Sequence, residues 1–109
     1  MLNVVRCLTG LTLIIAVSTP LLADSEISTS RQQELSNMLI QDCGSCHGLQ
    51  MKGGLGPALL PETLKGKSAE FITATILHGR PGTAMPPWRA LLLPVEARWM
   101  ADKLLQGDL

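Results

Sequence analysis

Apolar positions follow different rhythms in different parts of this chain. The first is an unbroken run from Cys7 to Val17, with Arg6 before it and Ser18-Thr19-Pro20 breaking it ahead of Leu21-Leu22-Ala23. The second has the spacing of an amphipathic helix. Leu35 and Leu39 fall on one face with Cys43, with Met38 beside them; Ile72, Thr75 and Ile76 share a face, and so do Ala97, Met100, Ala101 and Leu104. Between these helical stretches, Gly48 to Pro61 and Gly79 to Trp88 are too broken by Gly and Pro for a helix or a central strand.

End signals sharpen the pattern. Ser30 is the expected N-cap of the first helix, with Gln33 three residues on to reach back, and that helix runs to the cysteines. Glu62 to Lys67 reads as a helical turn. The next helix has Ser68 as N-cap, Glu70 in its first turn and Gly79 as an αL stop after His78. The last begins at Pro94 with Glu96 in its first turn, runs to about Gln106 and stops at Gly107; its small Ala residues would let it cross closely over the first helix. Runs of β-branched or aromatic residues are nearly absent beyond the first segment, so the predicted class is all-α.

The opening run predicts a secretory signal peptide over residues 1–23, cleaved after Ala23, and a single domain over 24–109. The run holds 11 residues from Cys7 to Val17, whereas a bilayer-spanning helix takes about 20. No membrane span is therefore expected in the mature chain. Cleavage would also remove Cys7, leaving Cys43 and Cys46 as the only thiols.

Those two belong to Cys43-Gly44-Ser45-Cys46-His47, a C-x-x-C-H stretch. Two thiols at this spacing can add to the two vinyl groups along one haem edge, and the imidazole that follows then lies under the iron. The expected cofactor is one haem c, covalent through Cys43 and Cys46, with His47 as an axial ligand. A zinc site would need two further ligands, and outside the stretch the only Cys is Cys7 and the only His is His78. A thioredoxin-like site would need strands alternating with helices, which the pattern does not offer. Export suits the haem reading, because c-type maturation in bacteria is extracytoplasmic.

A neutral imidazole needs its other N–H held. The Gly-rich loop after His47 is placed to do this, and the Pro57 carbonyl is the candidate acceptor. A sixth ligand must come from elsewhere, and Met85-Pro86-Pro87 suits the task. The Pro after Met85 keeps it out of the α region, and the stiff segment presents a thioether at little entropic cost. Thioether ligation favours ferrous iron, raises the potential and leaves no open site for substrate. Met38 and Met100 lie on helical patterns, and Met51 follows His47 too closely to reach the other haem face. His78, at a helix end favoured by the dipole, is the alternative ligand. Trp88 can set its ring on a haem edge and its indole N–H on a propionate, with Arg80 and Arg89 as further propionate partners.

Charge adds little: nine basic and nine acidic residues balance, which gives no reason to expect nucleic acid and no dominant patch for docking. Tyr is absent, Phe71 is the only Phe, and Trp88 and Trp99 are the only Trp, so a buried porphyrin would supply bulk that aromatic side chains do not.

Taken together, C-x-x-C-H near the start, Gly56-Pro57 in the next loop, Met85-Pro86 and a terminal helix resemble a class I cytochrome c. Asp42 to Leu49, Gly53 to Leu59, and Gly79 to Trp88 are similar to the NirC-type monohaem cytochromes of denitrification gene clusters. The resemblance implies a small class I cytochrome c fold, with three to four helices packed around one covalently bound haem. It implies attachment at Cys43 and Cys46, axial ligation by His47 and Met85, and orientation of His47 by Pro57. The implied protein is a periplasmic, monomeric single-electron carrier rather than an enzyme. Its redox partner would be the cytochrome cd-type nitrite reductase; the alternative role is as an accessory factor in haem d biosynthesis or in maturation of that reductase. The terminal helix lacks the Tyr that many relatives carry.

Overall fold

A computed structural model describes residues 26–109. The expected signal peptide and its cleavage point lie outside the described residues. Among the described residues the regular structure is helical, with no strand.

Helix α1 spans Thr29–Met38. Its N-cap is Ser28 and not Ser30: Ser28 is extended, and its hydroxyl accepts from the Arg31 N–H at 3.3 Å. Ser30 is already helical, and Gln33 makes no return bond. Gln32 instead donates to the Ile27 carbonyl at 2.9 Å. Ser28, Thr29 and Ser30 can all cap. The choice falls where Arg31 can reach Glu96 from the first turn while Ile27 packs against the core.

The rod does not end at Met38. A π-helical turn, Leu39–Cys43, leads directly into a short helix α2, Gly44–His47. A π turn takes one residue more than an α turn, so the side chains after it are rotated relative to those before it. Leu35 and Leu39 stay fully buried in the core, while the half-buried Cys43 turns into a cavity. Cys43 still packs against the core that buries Leu35 and Leu39, so the apolar stripe ends at the attachment motif as expected.

Glycines then fold the loop back on the rod's end. Gly48 leaves the helix at φ 88°, and the N–H groups of Gly53 and Gly56 donate to the carbonyls of His47 and Cys46, each at 2.8 Å. Carbonyls at a helix end have no intrahelical partner, and here the loop supplies one. Met51 sits in this loop at φ 57°, in the left-handed region, with its side chain buried.

A turn follows in which the Leu64 N–H donates to the Leu60 carbonyl at 3.0 Å and Leu64 is buried. Helix α3 spans Ala69–His78, capped by Ser68, whose hydroxyl accepts from the Phe71 N–H at 3.1 Å. Gly79 stops it as expected, but at φ 66° and ψ −167° rather than in the αL well. Helix α4 spans Pro94–Gln106, ends at Gly107 in the αL conformation, and buries Ala97, Met100, Ala101 and Leu104. It packs chiefly against α3 and crosses α1 more briefly. Glu96 closes the start of α4 by accepting from the Leu93 N–H at 2.8 Å.

Candidate functional site

Cys43, Cys46, His47, Pro57, Met85 and Trp88 all line one cavity of about 510 Å3. Four chain segments meet there. The end of the rod brings the thiols and the imidazole, the glycine loop brings Pro57, α3 forms a wall with Ile72, Thr75 and Ile76, and the 79–88 loop brings Met85.

His47 is held from one side and pressed from another. Its Nδ1 lies 2.7 Å from the Pro57 carbonyl oxygen. A carbonyl only accepts, so Nδ1 carries the proton and donates, and Nε2 keeps its lone pair for a metal. A Cβ on Gly56 would stand 2.8 Å from His47 Cε1 and 2.9 Å from Nδ1. Only a residue without a side chain lets the backbone lie this close to the ring. On Gly54, a Cβ would meet the Cys46 carbonyl oxygen at 2.8 Å.

Neither cysteine is oxidised to a disulfide. Burial, with the Asp42 charge adding to it, pushes the Cys43 thiol up to about 11. In the chain before haem attachment this group stays a thiol. Ser45 sits between the cysteines, and its hydroxyl donates to the Asp42 carbonyl at 2.6 Å.

The structure separates the remaining expectations. Arg80 lines the cavity, whereas Arg89 and His78 do not; His78 is exposed at the end of α3. Met38, Met51 and Met100 also lie away from the cavity, the latter two fully buried in the core. Lys67 and Phe71 were not singled out by the sequence pattern, yet both line the cavity, with Lys67 Nζ 5.5 Å from the centre of the Phe71 ring. Their signal is weak, because Lys67 precedes the Ser68 cap and Phe71 lies in the first turn of α3, beside rather than on the stripe of Ile72, Thr75 and Ile76.

The donor set fits a haem attached by two thioethers. Two thiols and an imidazole come from one helix end, a thioether comes from a second segment, and the walls between them are mainly apolar. Among the described residues no group of three or more His, Cys, Asp or Glu could hold a metal ion, which leaves no zinc-type cluster there.

Comparison with known proteins agrees with the chemistry. Residues 31–102 match the family described as cytochrome C oxidase, cbb3-type, subunit III. The chain is 52% identical over 100 residues to a cytochrome c55X of Pseudomonas aeruginosa, covering 92% of this chain and 84% of that one. A solved c-type cytochrome NirC superposes with a TM-score of 0.74 at 54% identity, over 75% of this chain and 96% of that one. The structure of a dihydro-heme d1 dehydrogenase, NirN, in complex with DHE is similar over a smaller part, with a TM-score of 0.61 and 37% identity over 65% of this chain and 15% of that one. A shared fold, a shared length and a cavity built around C-x-x-C-H together show that the chain belongs to the monohaem c-type cytochromes, the electron carriers of the cytochrome c55X and NirC family, with haem c attached at Cys43 and Cys46.

Proposed function

We propose that this protein is a periplasmic cytochrome that carries single electrons to the cytochrome cd-type nitrite reductase, using His47 and Met85 as the axial ligands of its haem. The observation that carries the ligand reading is that Met85 is the one methionine among the described residues that lines the cavity with His47. When bound, the haem supplies a reversible one-electron couple at its iron. The protein's own residues supply everything around that couple. Cys43 and Cys46 would hold the cofactor, the Pro57 carbonyl keeps the His47 Nε2 lone pair free for the iron, and the Met85 thioether would be its second protein ligand and keep water and substrate off the iron. Trp88 and the α3 wall keep the site apolar, and Arg80 offers the propionates a cation. The residue 1–23 leader delivers the chain to the periplasm, and the mature protein works as a monomer.

Partner identity is tested by mixing the reduced protein with mature nitrite reductase in a stopped-flow instrument. Oxidation within the reductase's turnover time supports the carrier role, and a rate no faster than autoxidation rejects it. Ligation is tested by the ferric spectrum of wild type beside Met85→Ala, each verified as monohaem by pyridine haemochrome. The weak near-infrared-edge band of a Met–iron bond should be present in the first and absent in the second.

A second reading has its own support in the likeness to dihydro-heme d1 dehydrogenase. The cytochrome's place would then be as an accessory factor in haem d biosynthesis or in maturation of the reductase, exchanging electrons there through its own haem. Reduction of the ferric protein by that enzyme and its substrate, with no rapid oxidation by the mature reductase, would favour this role.

A further inference from the structure

We infer that Gly79 is the positioning residue for the Met85 thioether: its missing side chain lets the Met85-Pro86 backbone lie against the end of α3, which sets where the sulfur enters the cavity. The inference rests on the reading of Met85 as the axial ligand.

Three observations meet at this glycine. Its backbone, at φ 66° and ψ −167°, is in a region essentially closed to residues with a Cβ. A Cβ there would stand 2.6 Å from the Pro86 carbonyl carbon, 2.7 Å from the Met85 oxygen and 2.7 Å from the Pro87 nitrogen. All three are backbone atoms, so no rotamer change can relieve the overlap. Pro86 and Pro87 further limit how the backbone can bend away.

The 80–85 loop is also pinched shut on the glycine. The Arg80 N–H donates to the Met85 carbonyl at 3.2 Å. The Thr83 hydroxyl donates to the Arg80 carbonyl at 2.6 Å and accepts from the Met85 N–H at 3.3 Å. Just beyond the loop, the Trp88 N–H donates to the Ile76 carbonyl of α3 at 3.1 Å, and the Arg89 N–H donates to the Leu77 carbonyl at 3.2 Å. The loop is thus fastened on both sides of Met85, and Gly79 sits where the two sides touch. A displacement of the Met85 carbonyl there is passed on to its own Cα, and from it to the sulfur.

Gly82 provides an internal control. It lies in the same loop with a positive φ of 77°, yet a Cβ on it would meet nothing within 4 Å. Alanine at Gly82 brings backbone strain alone, whereas alanine at Gly79 brings strain and a collision with the Met85 segment.

The experiment compares wild type, Gly79→Ala, Gly82→Ala and Met85→Ala as holoproteins, by ferric spectrum, midpoint potential, carbon monoxide binding to the reduced form and far-UV circular dichroism. Gly79→Ala should keep its covalent haem and helical content but lose the Met–iron band, fall in potential towards Met85→Ala and bind carbon monoxide at neutral pH. Gly82→Ala should keep the wild-type band and potential. If Met85→Ala loses the band and Gly79→Ala retains it, the inference is wrong and the ligand reading stands. If Gly82→Ala loses the band as fully as Gly79→Ala, general loop strain explains the effect and the inference is again wrong. If Gly79→Ala fails to accumulate where Met85→Ala does, Gly79 serves folding at large and is not a positioning residue. If Met85→Ala keeps the band, the ligand reading fails and the inference falls with it.

Discussion

Arg31 at the start of α1 donates through Nε to Glu96 Oε1 at 2.6 Å, bridging 65 residues to the start of α4. Glu96 is buried and also caps α4 through Leu93, so one carboxylate ties together the N-termini of two helices. Carboxylates are stabilising near helix N-termini, and here the guanidinium completes the pairing.

This pair has a pH signature. The hydrogen bond from Arg31 holds the Glu96 carboxyl below its ordinary value of 4.5. A carboxyl depressed in the folded state contributes stability above its unfolded value, and that contribution is lost as pH falls through the lower folded value. Wild-type stability should therefore decline as pH drops below about 4.5, and Glu96→Gln should show a flatter acid limb in thermal melts. At neutral pH, Glu96→Ala should cost roughly 1–3 kcal/mol, because it leaves the Leu93 N–H and the Arg31 Nε without an acceptor, Arg31 keeping only Glu34 and the Leu91 carbonyl.

Gly56 gives a second test, on the His47 side. The Cβ of Gly56→Ala would overlap the imidazole, so either the ring or the glycine loop must move. The expected cost is about 1–3 kcal/mol, as for an overpacked core. Its sign should be a shift of the His47 ring resonances in the NMR spectrum together with a lower melting temperature. Unshifted ring resonances would show that the loop yields and the ring does not.

Core truncation should behave differently from site changes. Leu39 is fully buried on the π turn that precedes Cys43. Leu39→Ala should lower stability by about 2–5 kcal/mol in denaturant titrations. With the cofactor held covalently, haem content and the ferric spectrum of the folded fraction should remain those of wild type.

Charge is more ordered than the balanced total suggests. Arg31, Arg98 and Lys103 on α1 and α4 are engaged in ion pairs. Among the described residues, Lys52, Lys65, Lys67, Arg80 and Arg89 make none, and all lie between the rod and α4, in the part of the chain that walls the cavity. Pairing engages the cations of the two helices and leaves five cations in the segments between them, against the likewise unpaired carboxylates Asp42 and Glu62. Electron exchange with an acidic partner should slow as ionic strength rises. Lys52→Glu should slow it further at low salt without changing the potential, as read by stopped-flow mixing.

The sequence by itself determined whatever depends on neighbours along the chain. Helical spacing, Ser68 and Gly107 placed α3 and α4, because caps and periodicity act over one or two turns. C-x-x-C-H specified haem attachment, and the Gly56-Pro57 and Met85-Pro86 segments named the residues that meet His47 in the cavity. Tertiary structure decided between options that look equivalent locally. It put the first cap on Ser28 rather than Ser30, because Arg31 must reach Glu96. It put a π turn between the leucine stripe and the attachment motif, chose Arg80 over Arg89 for the cavity wall, left His78 exposed, and gave Gly79 a conformation set by Met85 and Pro86 rather than by α3 alone. Each of these choices is made by a contact between residues distant in sequence or across a closed loop, and no local rhythm of apolar and polar positions encodes such a contact.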